Sequence, residues 1–344
     1  MAAAGLLRLW STGYVEPAIP PVLPAHLIAQ QLLALTLQES DSGLGRAHWQ
    51  EWLGEPPVFG QDAMAYADVL TKHLATEGWL HDDQGILSPG QTAEKTIGKR
   101  NFLELTSVFV AAPLVSVRQG RVEIGQVPDL AISAAFADKG GPAAVLLAGR
   151  AWKINSIDWK RRVAQVEPVN DKGAIRFSGT SQPLGYDLCQ AMAEVLDGKS
   201  LEPVELTRRA IDALEDVRDE LPKAGAGRTL LVQTKSGLRW YTFAGLRANL
   251  ELAARLVALR SQTTQRNNLY IALDPGVDRE AISAALAEPA RPEELLELVE
   301  SISGALKLER ALPENLVAEI MTKRLSDPSA VQRVIEAPID AVFS

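Results

Sequence analysis

Four consecutive residues in the middle of the chain combine the two properties that hold a single nucleic-acid strand. Trp159 offers an indole face on which a base can stack, and Lys160, Arg161 and Arg162 offer cations that follow phosphates. Asp158-Trp159-Lys160-Arg161 separates two β-branched runs and reads as a turn. A turn tip has little around it in which to bury an indole, so Trp159 is the preferred stacking candidate; the other reading is a rim tryptophan covering the end of a barrel. Arg150 follows Gly149, whose missing side chain would let a phosphate approach the backbone. Lys99 and Arg100, next to Asn101, form a second cationic cluster suited to phosphate contact or to salt bridges between domains. Arg239 and Trp240, followed by Tyr241, repeat the basic and aromatic pattern. Arg247 and Asn249 lie just beyond and suit buried hydrogen-bonding groups that fix a strand-to-helix turn. Trp152, alternating with Lys153, suits core packing, and Trp10, Trp49 and Trp52 suit the packing of the N-terminal helices.

The bulk composition neither forbids nor demands such an interface. A chain of 344 residues with 47% hydrophobic and 23% charged residues is ordinary globular material, long enough for two or three domains. Its net charge of −8 opposes phosphate binding in sum. The acid, however, concentrates in 199–220 and 288–319, whereas 150–162 holds five cations against Asp158 alone. Nucleic-acid contact is therefore expected on the middle of the chain, and weak when this chain acts alone. One cysteine, Cys189, excludes an internal disulfide and suits a reducing setting. Four scattered histidines do not make a zinc site. No apolar run is long enough to span a membrane and no signal peptide is read, so a cytoplasmic location without membrane contact is expected. There is no GxxxxGK[ST] loop, no magnesium-holding acidic box after a strand, no nucleophile elbow and no H-E-x-x-H, so no cofactor is expected in this chain and no active site can be assembled. Carboxylate pairs on the acidic helices read as solvated surface.

Positioning these residues falls to two kinds of element. Residues 25–38 have helical spacing without Gly or Pro, 46–53 read as a short helix, and a further helix is expected from about Asp62 to Thr76, with Tyr66, Val69, Leu70 and Leu74 on one face and Gly78 as its stop. WLHDDQGILS reads as a hairpin. Helices followed by a two-stranded wing are the plan of a winged-helix domain. Its third helix offers only Lys72 and His73 as basic groups, which suits a scaffold better than groove reading. Residues 101–177 alternate as short strands, predicting an antiparallel sheet or barrel. Helices are expected at 184–196 and 203–220, two strands joined at 235–237, and a long amphipathic helix after Phe243. The fold class is α+β, divided into a winged-helix domain with its N-terminal junction segment (1–98), a β-rich, barrel-like domain (99–200) and a C-terminal α+β segment (201–344).

Several phrases resemble, in order, the C-terminal part of Lhr-type superfamily 2 DEAD/DEAH-box helicases. LLRLWSTGYVEP with LPAHLIAQQLLALTLQE resembles the junction after the second motor domain and the first winged-helix helix. GKRNFLELTSVFVAAPLVSVRQGRVEIGQV resembles the start of that family's β-rich module. LLAGRAWKINSIDWKRRVAQVEP and QPLGYDLCQAMAEVL resemble its centre, and RWYTFAGLRANLELA a late segment. The likeness covers roughly residues 5–275. It implies a DNA-binding module that grips single-stranded DNA or an RNA–DNA hybrid for RecA-like motor domains, which would bind the ATP and magnesium. Those motor domains do not occur in this sequence, so they are expected on another polypeptide or removed by truncation. The alternative is a protein-interaction scaffold of a helicase or defence complex with no direct nucleic-acid contact. A hydrolase or glycosylase is the least supported reading, because no catalytic cluster is found.

Overall fold

A computed structural model describes the chain except residues 55–58, 99–104, 108–113, 129–143, 148–149, 170–182, 224, 226, 235–236, 262–266, 298–305 and 343–344. The class is α+β. The chain forms two compact units, one from Met1–Val108 with Pro183–Ser344 and one from Phe109–Gln182.

The first unit begins with α1 (Ala2–Ser11) and α2 (Ala25–Gln38), the latter over the span its periodicity predicts. After β1 (Leu44–Gly45), residues Trp49–Leu53 make a 3-10 turn. The single helix expected from Asp62 is broken into α3 (Gly60–Met64) and α4 (Ala67–Thr76). Asp62 lies inside α3. Leu70 and Leu74 are fully buried, but Val69 faces solvent, because it stands one residue, about 100° around the helix, from Leu70 and off the buried stripe of Ala67, Leu70, Thr71 and Leu74. Gly78 takes φ 71°, ending the helix in the left-handed region that glycine enters without Cβ strain. The hairpin β2 (Leu80–Asp83) and β3 (Ile86–Pro89) follows, its turn made by Gln84 and Gly85, both with positive φ. Gly85 N donates to Asp82 Oδ1 at 3.0 Å. These strands form a sheet of order β1-β3-β2, followed by α5 (Gln91–Ile97).

The second unit is a five-stranded sheet of β4 (Leu114–Gln119), β5 (Val122–Pro128), β6 (Ala144–Leu147), β7 (Arg150–Asp158) and β8 (Val163–Pro168). Its order is β5-β4-β8-β7-β6, antiparallel except for the β4–β8 pair. Among the described residues β5 and β6 are edges that do not pair, so the sheet is open and the expected barrel is not closed. Alternation puts Val115, Val117, Trp152, Ile154, Ala164 and Val166 on one buried face. Trp152 is a core residue, as its position in the strand predicts, and its Nε1 donates to Leu147 O at 3.0 Å.

The chain then rejoins the first unit through α6 (Tyr186–Leu196) and α7 (Arg208–Glu220), capped by Thr207. A second sheet, order β11-β10-β9-β12, comprises β9 (Thr229–Thr234), β10 (Gly237–Tyr241), β11 (Tyr270–Leu273) and β12 (Ile339–Val342). Around it lie α8 (Leu246–Arg255), α9 (Arg279–Leu286), α10 (Pro292–Glu297), α11 (Glu314–Leu325) and α12 (Pro328–Glu336). The division into separate 1–98 and 201–344 domains does not hold. Leu306, Leu312, Leu316 and Ile320 bury into the same core as Leu32, Trp49, Leu70 and Leu87. Helix α1 packs on α6, with Gly5 so close to Met192 that a Cβ there would stand 2.8 Å from its Cγ. Arg8 Nε pairs with Glu194 at 2.7 Å, and Tyr14 donates to Asp187 at 2.9 Å.

His26, at 4% exposure, is a buried polar member of this core. Burial and the nearby Arg324 charge push its pKa down to about 4. The fold therefore favours the neutral ring. That contribution is complete above the ordinary histidine value near 6.5 and is lost as pH falls from there toward 4. Urea unfolding at several pH values should show roughly 2 to 4 kcal/mol of loss across this window attributable to His26. A His26→Gln variant should flatten that part of the profile; an unchanged profile would refute the assignment.

Candidate nucleic-acid interface

The β7–β8 hairpin presents Trp159, Lys160, Arg161 and Arg162 at one end of the five-stranded sheet, and all four are exposed. Trp159 keeps 51% of its surface in contact with solvent, so the indole is not sealed beneath a barrel rim. The backbone beneath these side chains is held from behind. Asp158 Oδ1 accepts the amide of Arg161 at 2.9 Å, an Asx turn, and Arg162 O accepts the amide of Ser116 on β4 at 2.9 Å. Arg162 has φ 53°, a left-handed conformation that costs a non-glycine residue on the order of 1 kcal/mol. The hairpin thus fixes the backbone and leaves the side chains outward. The Arg161–Asp158 ion pair is long, 3.8 Å, and the Arg161 side chain is 83% exposed, so it holds the guanidinium weakly.

Two other cations on this sheet are already matched. Lys153 Nζ lies 2.9 Å from Glu167, and Arg118 3.3 Å from Glu123. Hydrogen bonds from Lys153 hold the Glu167 carboxyl below its ordinary range, and those from Ser116 do so for Glu123. This face is an internally neutralised ladder. Arg150 is exposed and, among the described residues, without an ion pair, but it begins β7 whereas Trp159 follows its end, about 30 Å away along an extended strand. The structure therefore does not bring Arg150 to the tryptophan turn. It lies instead toward the end of the sheet that carries the β4–β5 turn, where Arg121 is also exposed. Arg121 escaped the sequence reading, although the Arg-Gln-Gly-Arg turn that carries it was visible.

Charge separates by unit. Residues 109–182 carry ten Lys and Arg against six Asp and Glu, a net +4, which leaves −12 on the remainder of the chain. The acidity of the whole chain therefore says little about this sheet.

The remaining candidates divide differently. Lys99 and Arg100 lie outside the described residues. Trp240 is corrected from a stacking candidate to a core residue: it is 0% exposed, on the face of β10 that packs against Ala248, Leu252 and Ile271. Its Nε1 is buried without a hydrogen-bond partner. Arg239 belongs to the same strand in the first unit, half-buried, with its guanidinium 4.6 Å from the Tyr270 ring centroid and 3.4 Å from the Tyr241 hydroxyl. Its alternation partner is thus a structural ring rather than a base. Asn249 is the buried hydrogen-bonding group its position suggests, accepting from Thr242 at 2.5 Å and donating to Asn267 O at 2.8 Å. Arg247 is exposed and does not share that role. Trp49 packs in the core as expected, whereas Trp10 and Trp52 are 60% and 54% exposed. On α4 the outer face carries Asp68, Val69, Lys72 and Thr76, too little cation to track a phosphate backbone.

Among the described residues no group of His, Cys, Asp and Glu could hold a metal ion, and no helix is long and apolar enough to cross a membrane. No family model, curated protein or solved structure matches the chain.

The two tryptophans separate packing from exposure. Trp240→Ala is expected to cost about 3–5 kcal/mol, the range for emptying a buried indole site. Trp159→Ala should stay within about 0.5 kcal/mol of the parent. Chemical denaturation of both variants reads this directly, and a large loss at Trp159 would show that the turn is packed.

Proposed function

We propose that the chain is a nucleic-acid-binding module of the kind found behind the motor of Lhr-type helicases, gripping single-stranded DNA while RecA-like domains on another chain, or elsewhere in a longer one, step along it. The observation that carries this reading is the exposed Trp159 flanked by Lys160, Arg161 and Arg162 on a backbone-anchored turn in a net-positive unit. Stacking on the indole is indifferent to sequence because every base has a face, and the three cations neutralise successive phosphates. In this reading the α2, β1, α3, α4, β2, β3 succession is a winged helix used as scaffold, and the open five-stranded sheet is the family's β-rich module. ATP and magnesium would be bound by the motor alone, a single strand or an RNA–DNA hybrid is the ligand, and the site of action is cytoplasmic.

One set of observations favours the scaffold reading instead. Leu6, Trp10, Val15, Ile19 and Val22 are all exposed near the N-terminus, an apolar surface that suits a protein contact. The two readings differ in what Trp159 does. Titration of a single-stranded oligonucleotide should show affinity falling steeply with salt. Trp159→Ala should weaken binding by about 1–3 kcal/mol, the range for one stacked base. Arg161→Ala should weaken it and lower the salt slope by about one. Binding indifferent to salt and to both variants would refute the grip.

A further inference from the structure

The sheet of the first unit ends in an open edge, and a groove adjoins it. β12 is the last strand in the order β11-β10-β9-β12 and runs parallel to β9. Thr229 donates its amide to Pro338 O at 3.0 Å, and Ile339 stands opposite Thr229. In a parallel ladder that register turns the backbone groups of Asp340 toward β9. The N–H and C=O of Ile339 and Ala341 point off the other side, where no strand pairs with them among the described residues.

The groove, about 640 Å³, lies between α9, α12 and the start of β12. Ligand pockets commonly measure roughly 300–1,000 Å³. Its apolar lining comes from Leu286 and Val334, which are buried, and from Ile335 and Ile339, which are half-buried. Ile339 belongs to both features, so edge and groove are contiguous. Two charged side chains also line the groove. Asp340 is already matched, because Arg228 forks onto its two oxygens at 2.6 and 2.5 Å. Arg279, on the first turn of α9, is not. Among the described residues its ion pair is with the adjacent Glu280, at 3.6 Å and with both side chains exposed, which contributes little.

The unmet chemistry is therefore a row of backbone donors and acceptors, an apolar recess and one cation. An extended peptide answers all three. It carries the same alternating N–H and C=O groups and adds to an edge as a further strand, while its side chains fill adjoining pockets. Residues two apart on such a strand enter the same side. A small apolar molecule would leave the edge unpaired, and a phosphodiester chain accepts hydrogen bonds but offers no donor to the carbonyls.

We propose that β12 and the groove between α9 and α12 bind an extended peptide segment of a partner protein. The segment pairs with Ile339 and Ala341, seats an apolar side chain against Ile335 and Ile339, and sets a carboxylate two residues away against Arg279. The site does not depend on the Trp159 turn.

The test is fluorescence anisotropy of the full chain with a short, labelled, threonine-rich peptide carrying one leucine and one glutamate two positions apart. Saturable binding is expected. Ala341→Pro removes an edge donor that β9 does not use, so the sheet's own ladder stays intact. It should weaken the peptide by about tenfold. Ala287→Trp, which fills the groove from an exposed position, should abolish binding. Arg279→Gln should weaken the peptide several-fold and leave the affinity of its glutamine counterpart unchanged, as a double-mutant cycle requires. Trp159→Ala should change nothing. If Ala341→Pro does not fold, Ala287→Trp decides alone. Binding that survives both substitutions, or no saturable binding to the parent, would overturn the proposal. Self-association of the parent that the peptide reverses would also overturn it, by assigning the groove to a second copy.

Discussion

The larger unit exists only because its chain leaves and comes back. Leu312, Leu316 and Ile320 fill a core whose other wall is Leu32, Leu70 and Leu87, more than two hundred residues earlier. Without that return the N-terminal helices would expose an apolar face, and α11 would have nothing to bury against. The same closure places Tyr66 against Glu319, His26 against Arg324 and α1 against α6. Loop closure over such a span is a logarithmic cost, so the apolar burial needs only modest area to offset it. Residues 109–182 sit in the interval as a self-contained sheet with its own core of valines, Trp152 and Ile154.

That separation has an electrostatic consequence. A chain of net −8 nevertheless has a net-positive stretch in the inserted segment, and there Lys153 with Glu167 and Arg118 with Glu123 pair across strands. Among the described residues Lys160, Arg162 and Arg121 stand at turns, outside those cross-strand pairs. Trp159 and its three cations are exposed at the turn that joins β7 to β8. The Arg161 amide donating to Asp158 Oδ1 and the Ser116 amide donating to Arg162 O give this exposed tip a defined conformation without consuming the side chains of Trp159 and its cations. A rigid turn with free side chains suits a ligand whose own backbone is flexible, since little further ordering is needed on the protein side.

Elements governed by neighbours in sequence were legible before the fold. Helix α2 runs over the uninterrupted apolar period from Ala25 to Gln38, and the β2–β3 turn is where Asp-Asp-Gln-Gly stands, because Gln84 and Gly85 tolerate positive φ. The strand-poor N-terminal part, the short strands of the middle and the acidic, solvent-facing α7 follow from the same local rules. The break between α3 and α4 did not, since Ala65 and Tyr66 are compatible with continuous helix and only packing ends it there. Indoles were the hardest to place. Trp159, Trp240 and Trp10 all stand beside cations or apolar residues, yet one is a turn tip, one a core residue and one an exposed helical residue. Side-chain type sets what a tryptophan can do, whereas burial depends on which distant element covers it.

By itself, then, the sequence determined the local conformations, the absence of a phosphate-binding loop and the position of the cationic turn, because each depends on residues a few positions apart. The tertiary structure decided that Trp240 is interior, that Arg150 is a strand-length from Trp159, and that the two ends of the chain share one core. It also decided that Arg324 and His26 are neighbours, which no spacing along the chain could announce. Those outcomes rest on contacts between segments far apart in sequence, where hydrophobic burial is non-directional and only the assembled fold selects the partners.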